Sequence, residues 1–323
     1  MYRSPRNHRS NRHRHISWGL VFAVLLSLGL VIFGLEHLIG YGMDFMSSSF
    51  IAQELLQIYR TTPTDVPVIK HEAFSAAHEK ADIFTPVPIE ASTFIQKEEQ
   101  IPILHLPITS YPNNPRLNIL SRFSVLQKEN KHIIGWLGIQ NLLEEPVMQR
   151  DNIFYLNHDA QNKENVNGAL FLDSAIELKN RPYTYIIYGH NMKSGAMFGS
   201  LRNYENSTFY HNAPFISFDT MYETGCYVVF SVGIISINEY DRNYIDFFSL
   251  LSTDILARQL AIETLISASV HTCTIDVQSE DQILLLVTCA EKEDDRRVIA
   301  ARRIRDSENE KELKTLVKNS KKR

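Results

Sequence analysis

An uncharged, apolar run near the N-terminus limits the architectures open to this chain more than any other feature. The run covers residues 16–35, ISWGLVFAVLLSLGLVIFGL, and has 20 residues. At a rise of about 1.5 Å per residue, a helix of this length spans about 30 Å, the thickness of one hydrocarbon core. A cleaved signal peptide, the competing interpretation, usually has a shorter apolar region that ends at small residues. Because Glu36, His37 and Leu38 follow the run instead, we predict a retained membrane anchor over residues 16–38.

The residues before the run predict the orientation of this anchor. Five arginines lie within residues 1–15, interleaved with His8, His13 and His15. Positively charged segments next to a membrane span stay on the cytoplasmic side. We therefore predict a basic cytoplasmic tail over residues 1–15, a single pass through the cell membrane, and an extracellular location for the rest of the chain. The interleaved arginines favour this tail over a metal-binding histidine tract.

Charge and cysteine content exclude several classes of protein. The chain has 323 residues, 44% of them hydrophobic, and a formal net charge of -4. So small a charge argues against a general nucleic-acid binder. The three cysteines, Cys226, Cys273 and Cys289, are an odd number and their spacing fits no zinc site. At least one of them must be a free thiol or pair between chains.

Proline dominates the segment that follows the anchor. Eight prolines lie between Pro63 and Pro115. Proline removes a backbone donor and fixes φ, so long regular elements are unfavourable there. We therefore predict a proline-containing extracellular stalk over residues 39–115, extended except for one short helix at residues 50–59.

The pattern changes at Arg116. Residues 116–131 have apolar side chains close to helical spacing, and short apolar runs separated by polar turns follow. A long helical pattern at residues 244–268 interrupts the series before its last two strands. This order favours a mainly β fold: a closed barrel of about eight strands with an N-terminal helix and a helix inserted before the cysteine strand. The catalytic domain would span residues 116–306, followed by a charged C-terminal tail, 307–323. The strands are predicted at residues 133–139, 146–149, 153–157, 168–173, 183–190, 227–237, 282–289 and 297–304.

Two reactive side chains lie where predicted strands end. His190 ends one strand and Cys289 ends another, and a nearby cation would raise the thiolate fraction of the cysteine. Arg297 begins the next strand, eight residues after Cys289, and pairing of the two strands would bring these side chains together. Arg296 is the alternative cation. A nucleophile, an acid/base and a fixed cation suit acyl transfer, although an inert buried cysteine and a structural histidine stay open on chemistry alone.

The motifs around these residues resemble those of class B sortases, which are membrane-anchored cysteine transpeptidases of Gram-positive bacteria. The resemblance covers about residues 116–305, and YGHNM-x-x-G-x-MF is its most specific pattern. The eight-residue spacing from cysteine to arginine and the late helical insert are also similar to the family. The matching segments are GWLGI (135–139), PVMQRDNIFYL (146–156), GALFLD (168–173), IIYGHNMKSGAMFGSL (186–201), and VTC followed by RVIAARRI.

The resemblance implies a mechanism. Cys289 would attack the carbonyl after the threonine of an Asn-Pro-x-Thr-type sorting signal, and His190 would protonate the departing amine. Arg297 would hold the substrate and stabilise the oxyanion. An amine of the peptidoglycan cross-bridge, or of lipid II, would then resolve the thioester and anchor a surface protein to the cell wall. No metal or organic cofactor is implied, and no nucleic-acid partner.

Other positions match the substrate groove of the family. They are Asn152 and Leu156, then Tyr244 and Phe247 at the start of the helical insert, and Val287 and Thr288 before the nucleophile. Turn and core roles are open alternatives for the first four. The family usually has Leu-Ser-Thr-Cys before the nucleophile, so Val287 removes a polar contact and leaves the exact signal in doubt.

Three other functions compete with this one. A cysteine hydrolase would use the same residues with water as acceptor, and a pilin-polymerising enzyme would use a lysine side chain. A non-catalytic surface scaffold would bind partners through the stalk and the barrel. The presence of His190, Cys289 and Arg297 together argues against the scaffold.

Overall fold

The computed structural model describes residues 18–64, 105–290 and 292–323. The chain divides into two compact units, one that ends at Ser47 and one that runs from Ser48 to Arg323. The predicted basic tail and most of the predicted stalk lie outside the described residues.

The first long helix, α1, covers Trp18–Thr61. The part from Leu25 onward contains a window with a mean hydropathy of 1.6, which is long and apolar enough to cross a membrane. Its apolar side chains, such as Leu26 and Phe33, are exposed in the isolated chain. A helix with many exposed apolar side chains suits a lipid environment, so this segment is a candidate membrane span.

The second unit is built on a closed barrel of eight strands in the order β1-β2-β3-β4-β7-β8-β6-β5. This confirms the predicted fold class. Two neighbouring pairs, β2 with β3 and β4 with β7, are parallel, and the other pairs are antiparallel. The strands are β1 (Ile133–Ile139), β2 (Leu143–Met148), β3 (Leu170–Leu172), β4 (Thr184–Tyr188), β5 (Phe215–Thr220), β6 (Cys226–Ser236), β7 (Ile283–Cys289) and β8 (Asp295–Arg303).

The second unit also contains short helices and 3₁₀ turns. Two of them, α4 and α5, form the insert that was predicted as one helix over residues 244–268. The insert is broken because Asp246 and Asp254 each cap a new helix by accepting backbone N–H groups. The helices are α2 (Ser121–Glu129), α3 (Ser207–Asn212), α4 (Phe247–Leu251), α5 (Ile255–Ala268) and α6 (Glu310–Lys318), with 3₁₀ turns at Phe154–Leu156 and Phe198–Glu205.

Apolar side chains are buried on both surfaces of the sheet. Leu137 of β1 belongs to the larger core, whereas Trp136 faces a second cluster outside the barrel. The second cluster takes Ile51 and Leu55 from the C-terminal part of α1, and the ring of Tyr59 stacks on Trp136 at 4.5 Å between centroids. The predicted stalk therefore differs from the structure in its first part, where residues 48–61 pack against the barrel through an apolar helix face.

We expect Leu55→Ala to lower the free energy of unfolding of the second unit by about 2–5 kcal/mol, since it leaves a cavity in the outer cluster. Leu55 is 3% exposed, whereas Leu260, the matched control, is 67% exposed. Leu260→Ala should change stability by about 0.5 kcal/mol or less. Denaturant titration of both variants in detergent provides the measurement, and equal effects would exclude residues 48–61 from the folded unit.

Two other predicted segments differ from the structure, and one strand is absent from the prediction. Residues 153–157 form a 3₁₀ turn rather than a strand, because the Asp151 carboxylate accepts the N–H groups of Ile153 and Phe154. Strand β5 was not predicted at all. The C-terminal tail is folded: α6 buries Leu313 and Val317, and residues beyond it bond the loop after α5.

Candidate active site

The ends of β4 and β7 bring His190 and Cys289 together. These strands run parallel and side by side, and Tyr188 pairs with Val287 at their last register position. The N–H of Gly189 then donates to the Val287 carbonyl at 3.3 Å. One residue past His190, the side chain of Asn191 donates to the Cys289 carbonyl at 2.8 Å, so His190 and Cys289 both lie at this end of the two strands.

A backbone carbonyl holds the imidazole of His190. Its Nε2 lies 2.6 Å from the carbonyl oxygen of Leu156. A carbonyl only accepts, so Nε2 carries the hydrogen in this contact. In the neutral imidazole Nδ1 is then the acceptor nitrogen, the arrangement in which a third group orients an acid/base residue.

Cys289 is the exposed thiol of the three free cysteines, whereas Cys226 and Cys273 are half-buried. Burial raises the pKa of the Cys226 thiol to about 11 and also raises the pKa of Cys273. Both side chains are therefore protonated at neutral pH. A thiol must ionise to act as a nucleophile, so Cys289 is the cysteine available for that chemistry.

The strand register places Arg296, not Arg297, opposite Cys289. In the β7–β8 pair, Cys289 is the partner of Arg296 and Thr288 is the partner of Arg297. Directly opposed residues project from the same surface of a sheet, with Cβ atoms about 4.5–5.5 Å apart. The prediction that strand pairing would bring Cys289 and Arg297 side by side is therefore wrong by one residue, and one residue reverses the surface.

Arg297 is buried and engaged elsewhere. Its Nε and Nη2 lie 3.0 Å and 2.8 Å from Oε1 of Glu205, at the end of the 3₁₀ turn Phe198–Glu205. The Arg297 side chain is 7% exposed. This ion pair links β8 to the segment that follows the His190 turn.

Arg296 is half-buried and its Nη1 donates to the carbonyl oxygens of Glu293 and Asp295. Burial and the Asp173 carboxylate raise the pKa of the Tyr188 phenol, and the positive charge of Arg296 acts in the opposite direction. Arg296 therefore lies within electrostatic reach of Tyr188. Tyr188 shares the sheet surface of Cys289, so this electrostatic effect agrees with the register.

Asn152 and Leu156 lie in the loop between β2 and β3, next to this site. Asn152 donates from Nδ2 to Oδ2 of Asp173 at 3.3 Å and accepts the N–H of Ser174 at 2.9 Å. The same Asp173 oxygen accepts the Tyr188 hydroxyl at 2.9 Å. The loop is thus tied to β4, and Leu156 keeps 40% of its surface exposed beside His190.

The other predicted substrate positions are arranged differently. Val287 and Thr288 are 1% and 2% exposed, and Thr288 projects away from the surface that carries Cys289. Phe247 packs against the barrel core. Tyr244 is 37% exposed and forms an isolated parallel β-bridge with Ser236. Leu156 contacts His190 through its carbonyl oxygen, and Asn152 contacts Asp173. Val287 joins the site through its backbone carbonyl, which accepts the Gly189 N–H, while its side chain is buried. Tyr244 and Phe247 lie instead against β6 and the barrel core.

Four residues of this site were missed from the sequence: Asp173, Tyr188, Asn191 and Glu205. Asn191 and Tyr188 are part of the motif that contains His190, but their roles depend on neighbours distant in the chain. Among the described residues, no group of three or more His, Cys, Asp or Glu side chains is arranged to hold a metal ion.

A family model and related proteins match this chain. The sortase domain model covers residues 140–304. Sortase B of Listeria monocytogenes is 32% identical over 174 residues, which are 52% of this chain and 67% of that protein. Sortase B of Staphylococcus aureus is 32% identical over 193 residues, 58% of this chain and 76% of that protein.

Solved structures agree with the sequence relatives. A Staphylococcus aureus sortase B–substrate complex superposes with a TM-score of 0.51 at 30% identity, over 58% of this chain and 87% of that chain. A sortase B from Bacillus anthracis has the same fold, with a TM-score of 0.57 at 21% identity over 81% of this chain and 99% of that one. The chain therefore belongs to the sortase family, within class B, and is a cysteine transpeptidase.

Proposed function

We propose that Cys289, His190 and Arg296 carry out the transpeptidation, and that the enzyme joins surface proteins with an Asn-Pro-x-Thr-type signal to a cell-wall amine. The observation that carries this proposal is the parallel pairing of β4 with β7. It sets His190 beside Cys289, while Arg296 faces Cys289 from β8.

In the first half-reaction, the Cys289 thiol gives its proton to Nδ1 of His190, and the resulting thiolate attacks the carbonyl carbon after threonine. Negative charge develops on the carbonyl oxygen, and the Arg296 guanidinium is the nearby cation that stabilises it. The peptide C–N bond then breaks, and His190 gives its proton to the departing amine. The product is a thioester between the signal threonine and Sγ of Cys289.

In the second half-reaction, an amine attacks the thioester and the Cys289 thiolate leaves. The amine loses a proton, which returns to the histidine, and a new amide bond joins the surface protein to the acceptor. We propose an amine of the peptidoglycan cross-bridge, or of lipid II, as this acceptor. Both halves use the same three side chains, so no additional catalytic group is required.

The sorting-signal segment of the substrate would lie along the loop between β2 and β3. Asn152 holds this loop to Asp173 and Ser174, and Leu156 and Ile153 present apolar surface, 40% and 74% exposed respectively. We assign Asn152 and Leu156 to substrate binding on this basis. Tyr244 and Phe247 would act through the position of the insert, and Val287 and Thr288 would support the floor of the groove from within.

We also propose that the N-terminus is cytoplasmic and the catalytic domain extracellular. The five arginines within residues 1–15 support this orientation, since basic flanks stay in the cytoplasm. It would place the active site on the side of the membrane where cell-wall amines lie.

The test is a transfer assay with the full chain in detergent. Fluorogenic Asn-Pro-x-Thr-x and Leu-Pro-x-Thr-x peptides are incubated with and without a glycine or diaminopimelate-type amine, and the products are identified by mass spectrometry. We expect cleavage after threonine and an adduct with the amine for the Asn-Pro series. If the free acid is the only product at every amine concentration, that result would contradict the transfer function and indicate a hydrolase.

A further inference from the structure

We infer that Asn191 is a positioning residue that sets the separation between the acid/base and the nucleophile. Its side-chain Nδ2 donates to the backbone carbonyl oxygen of Cys289 at 2.8 Å, across 98 residues of sequence. This inference rests on the proposed roles of His190 and Cys289. It adds a residue that touches neither substrate nor reacting atoms, but fixes the backbone that carries them.

The bond continues the β4–β7 ladder where the backbone leaves it. In a parallel pair, every second residue of one strand donates to a carbonyl of the other. After Gly189, which donates to Val287, the next donor would be residue 191 and the next acceptor Cys289. The chain turns away at His190, and Asn191 instead forms a bridge with Met197. The side-chain amide of Asn191 thus supplies the ladder bond that its own backbone does not make.

The amide of Asn191 has a fixed orientation. Its Oδ1 faces Nη2 of Arg202 at 3.4 Å, and this nitrogen also donates to the Met192 carbonyl at 2.9 Å. A guanidinium only donates and a carbonyl only accepts. The oxygen of the Asn191 amide must therefore face Arg202, which leaves Nδ2 to face Cys289.

The turn that presents Asn191 is tightly closed. The Phe198 N–H donates to the His190 carbonyl at 3.0 Å, and Nε of Arg202 donates to the Gly199 carbonyl at 2.6 Å. A Cβ on Gly199 would lie 2.0 Å from the Met192 carbonyl oxygen, so only glycine allows this approach. Such a turn has little freedom to shift relative to β7 once Asn191 is bonded.

His190 is consequently bracketed between two bonds to β7. One is the Gly189 N–H to Val287, the other is the Asn191 amide to Cys289. The ring itself is bonded to the Leu156 carbonyl on the other side. Proton transfer between imidazole and thiol depends on sub-ångström placement, and a shift of about 1 Å can cost 10²-fold in rate.

The test compares three substitutions in the full chain. Asn191→Asp keeps the size of the side chain but replaces the donor with a carboxylate oxygen that repels the Cys289 carbonyl. Asn191→Ala removes the bond without adding charge, and it serves if the aspartate variant folds poorly. Asn191→Gln keeps an amide donor at one methylene greater length. The matched control is Asn206→Ala, because Asn206 caps α3 through the N–H groups of Thr208 and Phe209 but bonds nothing in the active site.

We expect Asn191→Asp and Asn191→Ala to lower kcat roughly 10- to 100-fold while KM for the signal peptide changes little. Asn191→Gln should keep more activity than Asn191→Asp. Asn206→Ala should lower Tm without lowering kcat. Wild-type kcat in Asn191→Asp, or an equal loss in Asn206→Ala, would overturn the inference. Turnover in a parallel Cys289→Ala sample would instead overturn the proposed nucleophile, and the inference with it.

Discussion

Cys289→Ala is expected to abolish both cleavage of the signal peptide and its transfer to an amine. Loss of the thiol removes the atom that we propose forms the thioester, and the other two cysteines are half-buried. Losses of catalytic nucleophiles in related chemistry are of order 10⁶-fold, which is below the detection limit of a peptide assay. The exposed position of Cys289 means that the fold should be unaffected.

The two remaining cysteines provide matched controls. Cys226→Ala and Cys273→Ala remove thiols whose pKa is raised by burial, so they should keep wild-type turnover. Tm measured for all three variants separates loss of chemistry from loss of fold. Turnover of Cys289→Ala above the buffer background would contradict the assignment of Cys289 as the nucleophile.

Arg296→Ala is expected to lower kcat/KM by about 10²-fold, because the cation proposed to stabilise the oxyanion is lost. Tm should fall only slightly, since the lost contacts are two hydrogen bonds to backbone carbonyls at the exposed hairpin. Arg297→Ala should give the opposite pattern. It leaves Glu205 without its partner and removes a buried side chain, at a cost of about 1–3 kcal/mol in the free energy of unfolding. Glu205 is 41% exposed in its side chain, which keeps this cost below that of a fully buried pair.

Glu205→Gln distinguishes the two explanations for any loss at Arg297. It breaks the ion pair without touching the surface that carries Cys289, so it should reproduce the Tm loss of Arg297→Ala. Steady-state kinetics and thermal unfolding of the three variants give the comparison. A large rate loss in Arg297→Ala with unchanged Tm, and none in Arg296→Ala, would reverse the assignment.

The arginine assignment illustrates what the sequence could and could not predict. The spacing of cysteine and arginine correctly indicated a hairpin between two strands. The register of that hairpin depends on the turn, where Ala290 donates to Asp295 and Asp295 donates to Lys292. A change of one residue in register reverses which side chains share a surface, and periodicity alone does not contain that information.

The barrel itself was predictable, because alternating apolar runs and polar turns determine strands locally. The structure of several other segments was not predictable, because long-range packing or local side-chain hydrogen bonds determine it. Residues 153–157 look like a strand by composition, but the Asp151 carboxylate stabilises a 3₁₀ turn there. Ile51 and Leu55 lie at helical spacing, yet only the folded barrel shows that they cover Trp136.

The sequence indicated the proposed reactive residues but not the residues that support them. His190 and Cys289 stand out as polar residues at the ends of apolar strands. Asn191, Asp173 and the Leu156 carbonyl act through contacts that span 98, 15 and 34 residues to Cys289, Tyr188 and His190 respectively. Such contacts follow from the barrel topology, so they become visible only when β4, β7 and the loop after β2 are placed together.

Trapping the thioester on Cys289 is the most direct test of the proposed mechanism. The full chain is incubated with an Asn-Pro-x-Thr-x peptide without amine, quenched in acid and digested, and the peptide that contains Cys289 is analysed by mass spectrometry. We predict an added mass equal to the signal up to its threonine on Cys289, which disappears when amine is added as the transfer product forms. Transfer product without any adduct on Cys289, or an adduct on Cys226 or Cys273, would contradict it.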